Sequence, residues 1–158
     1  MMDRVRRKAL QTGGGLTLLG VLAAAGWLKP EPAQAQTWNR AAFDTHSMAD
    51  TMKALGGGQP VPSKDILFVQ TPEIAENGAV VPIGVSSSIA KTEAIAIVIE
   101  KNPNLLAAIF EIPAGTEPAI STRVKMAQTC NIYALVRADG KYYVASKEVK
   151  VTLGGCGG

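Results

Sequence analysis

The chain has 158 residues and a formal charge of +3, from 16 Lys and Arg against 13 Asp and Glu. Five of the basic residues (Arg4, Arg6, Arg7, Lys8, Lys29) and two of the acidic ones (Asp3, Glu31) precede position 36, so eleven of each sign remain beyond it. A balanced charge and an aromatic content of 5% exclude a basic nucleic-acid face and a platform of stacking rings.

Residues 1–12 are basic and polar and contain the pair Arg6-Arg7. An apolar or small stretch runs from Gly13 to Leu28, and Pro30, Pro32 and Ala33-Gln34-Ala35 follow. A charged start, a short apolar middle and an A-x-A site read as a signal peptide over residues 1–35. The apolar stretch is too short and too rich in glycine for a good membrane span. The paired arginines followed by Lys8-Ala9-Leu10 fit a twin-arginine signal, a route that carries folded cargo. No second apolar run of spanning length follows, so the mature chain is expected to be soluble, periplasmic and free of the membrane. Its roughly 123 residues suffice for one domain with its own core.

The mature chain opens with a predicted helix over 38–55. Met48, Met52 and Leu55 recur at i, i+4 and i+7 among alanines, and Gly56-Gly57-Gly58, Pro60 and Pro62 end the segment. Strands are predicted at 65–70, 79–86, 94–101, 105–112, 119–127, 130–138 and 141–153. Asn77-Gly78 and Asp139-Gly140 are dipeptides that supply positive φ in tight turns. Asn102-Pro103-Asn104 and the stretch from Pro113 to Pro118 separate further pairs. Ile120, Thr122, Val124 and Met126 alternate with Ser121, Arg123 and Lys125, as on a half-buried strand. The run Ala94 to Ile99 does not alternate, as a central strand covered on both faces would not. Seven short strands with regular turn signals predict an all-β antiparallel sandwich. Such a sandwich has free edges, which invite pairing with a partner; 119–127 and 130–138 are the candidate edges.

Catalytic groups are hard to find. The single histidine, His46, falls within the predicted helix and reads as a surface or packing residue. No paired carboxylates, Ser-His-Asp set or phosphate loop stands out, and neither a metal site nor a cofactor is implied. Glu100, Glu111, Glu117 and Glu148 read as solvent-facing. The last predicted strand gives way to Gly154-Gly155-Cys156-Gly157-Gly158. Four glycines around one thiol at a chain end form a predicted flexible arm with nothing to pack or cap. Five extended residues span about 16 Å. A thiol on such a tether can enter a narrow channel in another protein, and a stray thiol in an oxidising compartment would be a liability. Cys156 has no base or cation beside it in sequence, so partners must activate it. Cys130 shares a strand face with Ile132, Ala134 and Val136. It is either a small buried hydrophobe or one half of an inter-subunit disulfide, and an internal bond to Cys156 is a third arrangement.

The ending Val149-Lys150-Val151-Thr152-Leu153-Gly154-Gly155-Cys156-Gly157-Gly158 resembles that of the SoxY family, the sulfur-substrate carriers of periplasmic thiosulfate oxidation. So do the stretches 74–82 (IAENGAVVP), 100–104 (EKNPN), 121–126 (STRVKM) and 138–141 (ADGK), and the likeness runs from about Phe43 to Gly158. The resemblance implies an immunoglobulin-like sandwich over 36–153, an arm over 154–158, and a heterodimer with a SoxZ-like sandwich that lacks its own leader. It implies covalent attachment of sulfur at Cys156, with Gly154, Gly155, Gly157 and Gly158 as the arm. A SoxAX-type haem c enzyme, a manganese hydrolase of the SoxB type and, in some pathways, a molybdenum enzyme of the SoxCD type would act on it. The carrier itself would not be an enzyme. Cys130 lies outside the family's defining motif. One alternative is a ubiquitin-like sulfur carrier working through its Gly-Gly carboxylate. Another is a structural or adhesion sandwich with an incidental tail cysteine.

Overall fold

The computed structural model describes residues 39–153. Among these residues two short helices come first, α1 (Arg40–Phe43) and α2 (Met48–Ala54). The single helix expected over 38–55 is therefore divided, for reasons beyond local propensity. Between the two, Thr45 turns inward: its hydroxyl donates to the Ala42 carbonyl (2.8 Å) and lies 2.7 Å from that of Thr51. The Thr45 carbonyl meanwhile accepts from the Leu105 N–H (3.1 Å), which a continuous helix would not allow. Ser47 then caps α2 by accepting from the Asp50 N–H.

Nine strands follow among the described residues: β1 (Val61–Pro62), β2 (Ile66–Val69), β3 (Ile74–Asn77), β4 (Val81–Ser87), β5 (Thr92–Ile99), β6 (Leu106–Glu111), β7 (Ala119–Val124), β8 (Cys130–Ala138) and β9 (Lys141–Leu153). One sheet has the order β1-β9-β8-β5-β6 with β3 also on β9, and the other has the order β2-β4-β7. All seven predicted strands are present, and 130–138 and 141–153 keep their predicted bounds. The sandwich is mixed, not purely antiparallel, because β1 and β3 run parallel to β9. Neither of these two was expected. Both are short, and they exist only by pairing with the outer side of β9; an edge tolerates Pro62 where an interior strand would not. Each then passes the chain to the small sheet, to β2 and to β4. The candidate edge at 130–138 is also corrected: β8 is paired on both sides, with β5 and with β9. β7 is an edge, paired with β4 alone.

The unbroken apolar run of β5 is explained by three layers. Ile95, Ile97 and Ile99 point into the core between the sheets, with Ile132 and Val136 of β8 and with Val81, Ile83 and Val85 of β4. Ala96 and Val98 point the other way, into a second core with Leu135, Tyr142 and Met52 of α2. Each fully buried Ile or Val contributes roughly 1.5–3 kcal/mol. Asp139 and Gly140 carry the expected positive φ (47° and 70°) between β8 and β9. Asn77 and Gly78 turn without one: the Asn77 side chain accepts from the Ala79 N–H (2.8 Å), an Asx turn.

Candidate functional site: the root of the carboxy-terminal arm

Cys156, Gly154, Gly155, Gly157 and Gly158 lie outside the described residues, as does the leader over 1–35. The structure does place Leu153, which precedes the predicted arm in sequence. The last stretch of β9 runs past the end of β8, whose Cys130 pairs with Val149. From Lys150 onward β9 is held by β3, with Ile74 opposite Lys150, Ala75 opposite Val151 and Asn77 opposite Leu153. The Gly78 N–H donates to the Leu153 carbonyl (2.7 Å), and the Thr152 hydroxyl donates to the Glu76 carbonyl (2.9 Å). On the opposite side the Val151 N–H donates to the Thr129 hydroxyl (2.9 Å).

Gly78 is buried and ties a third segment in, since its carbonyl accepts from the Met126 N–H (2.7 Å). Met126 is itself held in place by Asn102. The Asn102 side chain donates to the Lys125 carbonyl (2.8 Å) and accepts from the Ala127 N–H (3.0 Å). A continuous series of bonds therefore runs from the β5–β6 turn through residues 125–127 and Gly78 to Leu153. Three stretches that are far apart in sequence, 74–82, 100–104 and 121–126, meet here. The fourth, 138–141, forms the hairpin at the opposite end of β9.

Sequence reasoning treated Asn77-Gly78 and Asn102-Pro103-Asn104 as chain breaks and did not assign them to the site. The missed signal was the side-chain chemistry of Asn102, which offers a donor and an acceptor that can clamp a loop from both sides. His46 is exposed, and its Nδ1 lies 2.6 Å from the Pro103 carbonyl, so it steadies the same turn from the helical side. Glu100 accepts from the Asn131 N–H and side chain (both 3.2 Å) and faces the Tyr133 hydroxyl (3.4 Å). Burial, followed by the charge of Glu100, pushes the Tyr133 phenol up from its ordinary pKa.

Cys130 is 4% exposed and carries a free thiol within the inter-sheet core. Burial pushes its pKa up, backbone hydrogen bonding from Lys101 draws it part of the way back, and the Glu100 carboxylate raises it again. It stays a neutral thiol at ordinary pH. The turn 77–80, residues 126–128 and Leu153 contain no titratable side chain, while Glu76 and Lys125 flank them and are exposed.

Arg137 pairs with Glu93 and Glu111, both at 2.9 Å, away from this end of the molecule. A cleft of about 590 Å³ beside Ser87, Thr92 and Pro113 and a more apolar groove of about 680 Å³ beside Met48 and Met52 are lined by other segments. Among the described residues no group of three or more His, Cys, Asp or Glu is placed to hold a metal ion. No described helix is long and apolar enough to cross a membrane.

Against known proteins, the profile of the family "Sulfur oxidation protein SoxY" matches residues 51–156. Among solved structures, the sulfur carrier protein SoxY from Chlorobium limicola f thiosulfatophilum is 40% identical, with a TM-score of 0.59 over 66% of this chain and 94% of that one. An endo-beta-1,4-mannanase from Thermotoga petrophila (12% identity, TM-score 0.41, 56% of this chain and 19% of that one) is too distant to argue from. So is a lytic polysaccharide monooxygenase from Jonesia denitrificans (11%, 0.38, 51% and 58%). A search of curated proteins finds no significant match. The family profile covers well over half of the chain and ends on the tail cysteine, and the Chlorobium carrier matches across nearly its whole length: this chain belongs to the SoxY family.

Proposed function

We propose that this protein is a sulfur-substrate carrier of the Sox pathway of thiosulfate oxidation, holding its cargo covalently on Cys156. The observation that carries the reading is the SoxY family match over 51–156, whose last residue is that cysteine. The likeness to the Chlorobium sulfur carrier supports it.

In the first step the Cys156 thiol and thiosulfate are joined through a new S–S bond. The product is a cysteine S-thiosulfonate, one proton is released, and two electrons pass to a haem c enzyme of the SoxAX type. Water then cleaves the S–SO₃ bond on a SoxB-type manganese hydrolase, releasing sulfate and leaving a persulfide on Cys156. A molybdenum enzyme of the SoxCD type is the candidate for oxidising that remaining sulfur. The carrier contributes a nucleophilic sulfur and a tether and is not itself the catalyst. Attachment keeps a reactive persulfide from diffusing away between enzymes.

The finer features belong to the same reading. Residues 1–35 are a twin-arginine signal, the mature protein is periplasmic, and the body is an immunoglobulin-like sandwich. Gly154, Gly155, Gly157 and Gly158 give the arm its freedom, and a SoxZ-like sandwich is the heterodimer partner. Cys130 is a packing residue: a disulfide to a partner subunit would require its buried thiol to reach the surface. The ubiquitin-like alternative wants one mixed sheet around a substantial helix, whereas the helices among the described residues have four and seven residues.

Cys156→Ser is the deciding variant. The expected result is an unchanged melting transition and complete loss of the thiosulfate adduct, read by intact mass without reductant after incubation with the haem enzyme. A variant that still supports thiosulfate-dependent turnover would reject the carrier role.

A further inference from the structure

Of the asparagines at 39, 77, 102, 104 and 131, only Asn77 is followed by glycine. That dipeptide has a chemistry of its own. The backbone nitrogen after an asparagine can attack the side-chain carbonyl carbon, and a following glycine has no Cβ to hinder the approach. The new C–N bond closes a succinimide ring. The side-chain amide leaves as ammonia, which carries off the proton lost by the backbone nitrogen. Water then opens the ring at either carbonyl, giving aspartate or isoaspartate with no change of oxidation state.

The fold acts on both reacting groups. Asn77 is exposed, and its Oδ1 accepts from the Ala79 N–H (2.8 Å), which draws electrons from Cγ and makes that carbon a better electrophile. The nucleophile is held back. Gly78 is buried, and its N–H donates to the Leu153 carbonyl (2.7 Å), which is too weak a base to remove the proton. Asn77 also ends β3 opposite Leu153, and ring closure needs the chain at Asn77 to leave the extended strand geometry. Closure therefore waits until the bond between Gly78 and Leu153 opens.

The two products differ in their effect. Aspartate keeps a side-chain oxygen for the Ala79 N–H. Isoaspartate puts one more carbon into the main chain, about 1.5 Å of added length. Gly78 stands between two bonds of 2.7 Å, one from its N–H to Leu153 and one to its carbonyl from the Met126 N–H, and a displacement of that size breaks them. We propose that Asn77 is a site of spontaneous deamidation, locked by the Leu153 carbonyl through Gly78, and that its isoaspartate form permanently loosens the end of β9. The inference is independent of the carrier reading and holds whatever cargo the protein bears.

The test incubates the full mature chain in mildly alkaline buffer, natively and in urea. Deamidation at Asn77 is followed by peptide mass and by the fragment ions that distinguish isoaspartate, and amide exchange at Gly78 and Met126 is measured on the same samples. Two variants accompany the wild type: Asn102→Ala, which frees residues 125–127, and the milder Thr152→Val, which removes the hydroxyl bonded to the Glu76 carbonyl (2.9 Å). Native wild type is expected to react about tenfold or more slowly than the urea-unfolded chain. Asn102→Ala should speed the native reaction about fivefold or more, and Thr152→Val should speed it less, each in step with faster Gly78 exchange. The isoaspartate form, separated by its added charge, should exchange rapidly at Met126. No reaction at Asn77 in the unfolded chain would overturn the site. A native rate within about twofold of the unfolded one would overturn the lock, as would an unchanged Asn77 rate in a variant whose Gly78 exchange has quickened. Protection of Met126 retained in the isoaspartate form would overturn the loosening.

Discussion

Cys130 and Cys156 are the same residue type with opposite surroundings. Cys156 is bracketed by glycines at the chain end, whereas Cys130 lies opposite Val149 within the inter-sheet core. Burial makes the thiolate of Cys130 costly, so its pKa rises above the ordinary thiol value. The sign of the consequence follows from linkage. The folded state binds this proton more tightly than the unfolded state, so the stabilisation is complete below the unfolded pKa, about 8.5, and is lost as pH climbs through the higher folded value. In a Cys156→Ser background, the urea midpoint is expected to decline between about pH 8.5 and 10 more steeply than in the Cys130→Ala, Cys156→Ser double variant. Parallel declines in the two proteins would show that Cys130 does not titrate out of the fold. Native alkylation of the Cys156→Ser protein should be correspondingly slow until denaturant is added.

Among the elements, the connections near the arm are more consequential than their length indicates. The turn between β5 and β6 reaches across with Asn102 to hold residues 125–127, and Met126 in turn holds Gly78. Removing the Asn102 side chain leaves a carbonyl and an N–H without their clamp. At about 1 kcal/mol for each lost bond, Asn102→Ala is expected to cost roughly 1–2 kcal/mol, read as a lower urea midpoint at unchanged m-value. Hydrogen exchange should quicken at Met126, Ala127 and Gly78 while the amides of β5 and β8 remain protected. Uniform quickening through both sheets would mean that the clamp supports the whole fold and not the arm root in particular.

For the molecule as a whole, the proposed leader and the body are expected to have separate tasks. The pair Arg6-Arg7 is expected to direct export of an already folded protein, which suits a carrier that joins its partner subunit before crossing the membrane. Replacing both arginines with lysine should leave the uncleaved precursor in the cytoplasm, whereas the wild-type periplasmic protein should begin at Gln36 by mass. Normal export of the Lys-Lys variant would reject the twin-arginine route. Within the body, Leu153 lies at one end of β9 and the hairpin at Asp139-Gly140 at the other.

Much of this was legible in the residues. Seven strands follow from runs of Val, Ile and Thr between turn dipeptides, because side-chain alternation and backbone dihedral limits act locally. The thiol among glycines prompts the expectation of a tether without reference to any fold. Non-local pairing decided the remainder. β1 and β3 have too little sequence to announce themselves and exist because the outer side of β9 offers unpaired backbone groups. The predicted helix divides because Leu105 needs the Thr45 carbonyl, a demand made from sixty residues away. The convergence of Gly78, Asn102 and Met126 on Leu153 likewise depends on bonds between segments that no local pattern connects, so only the packed sandwich reveals how Leu153 is held.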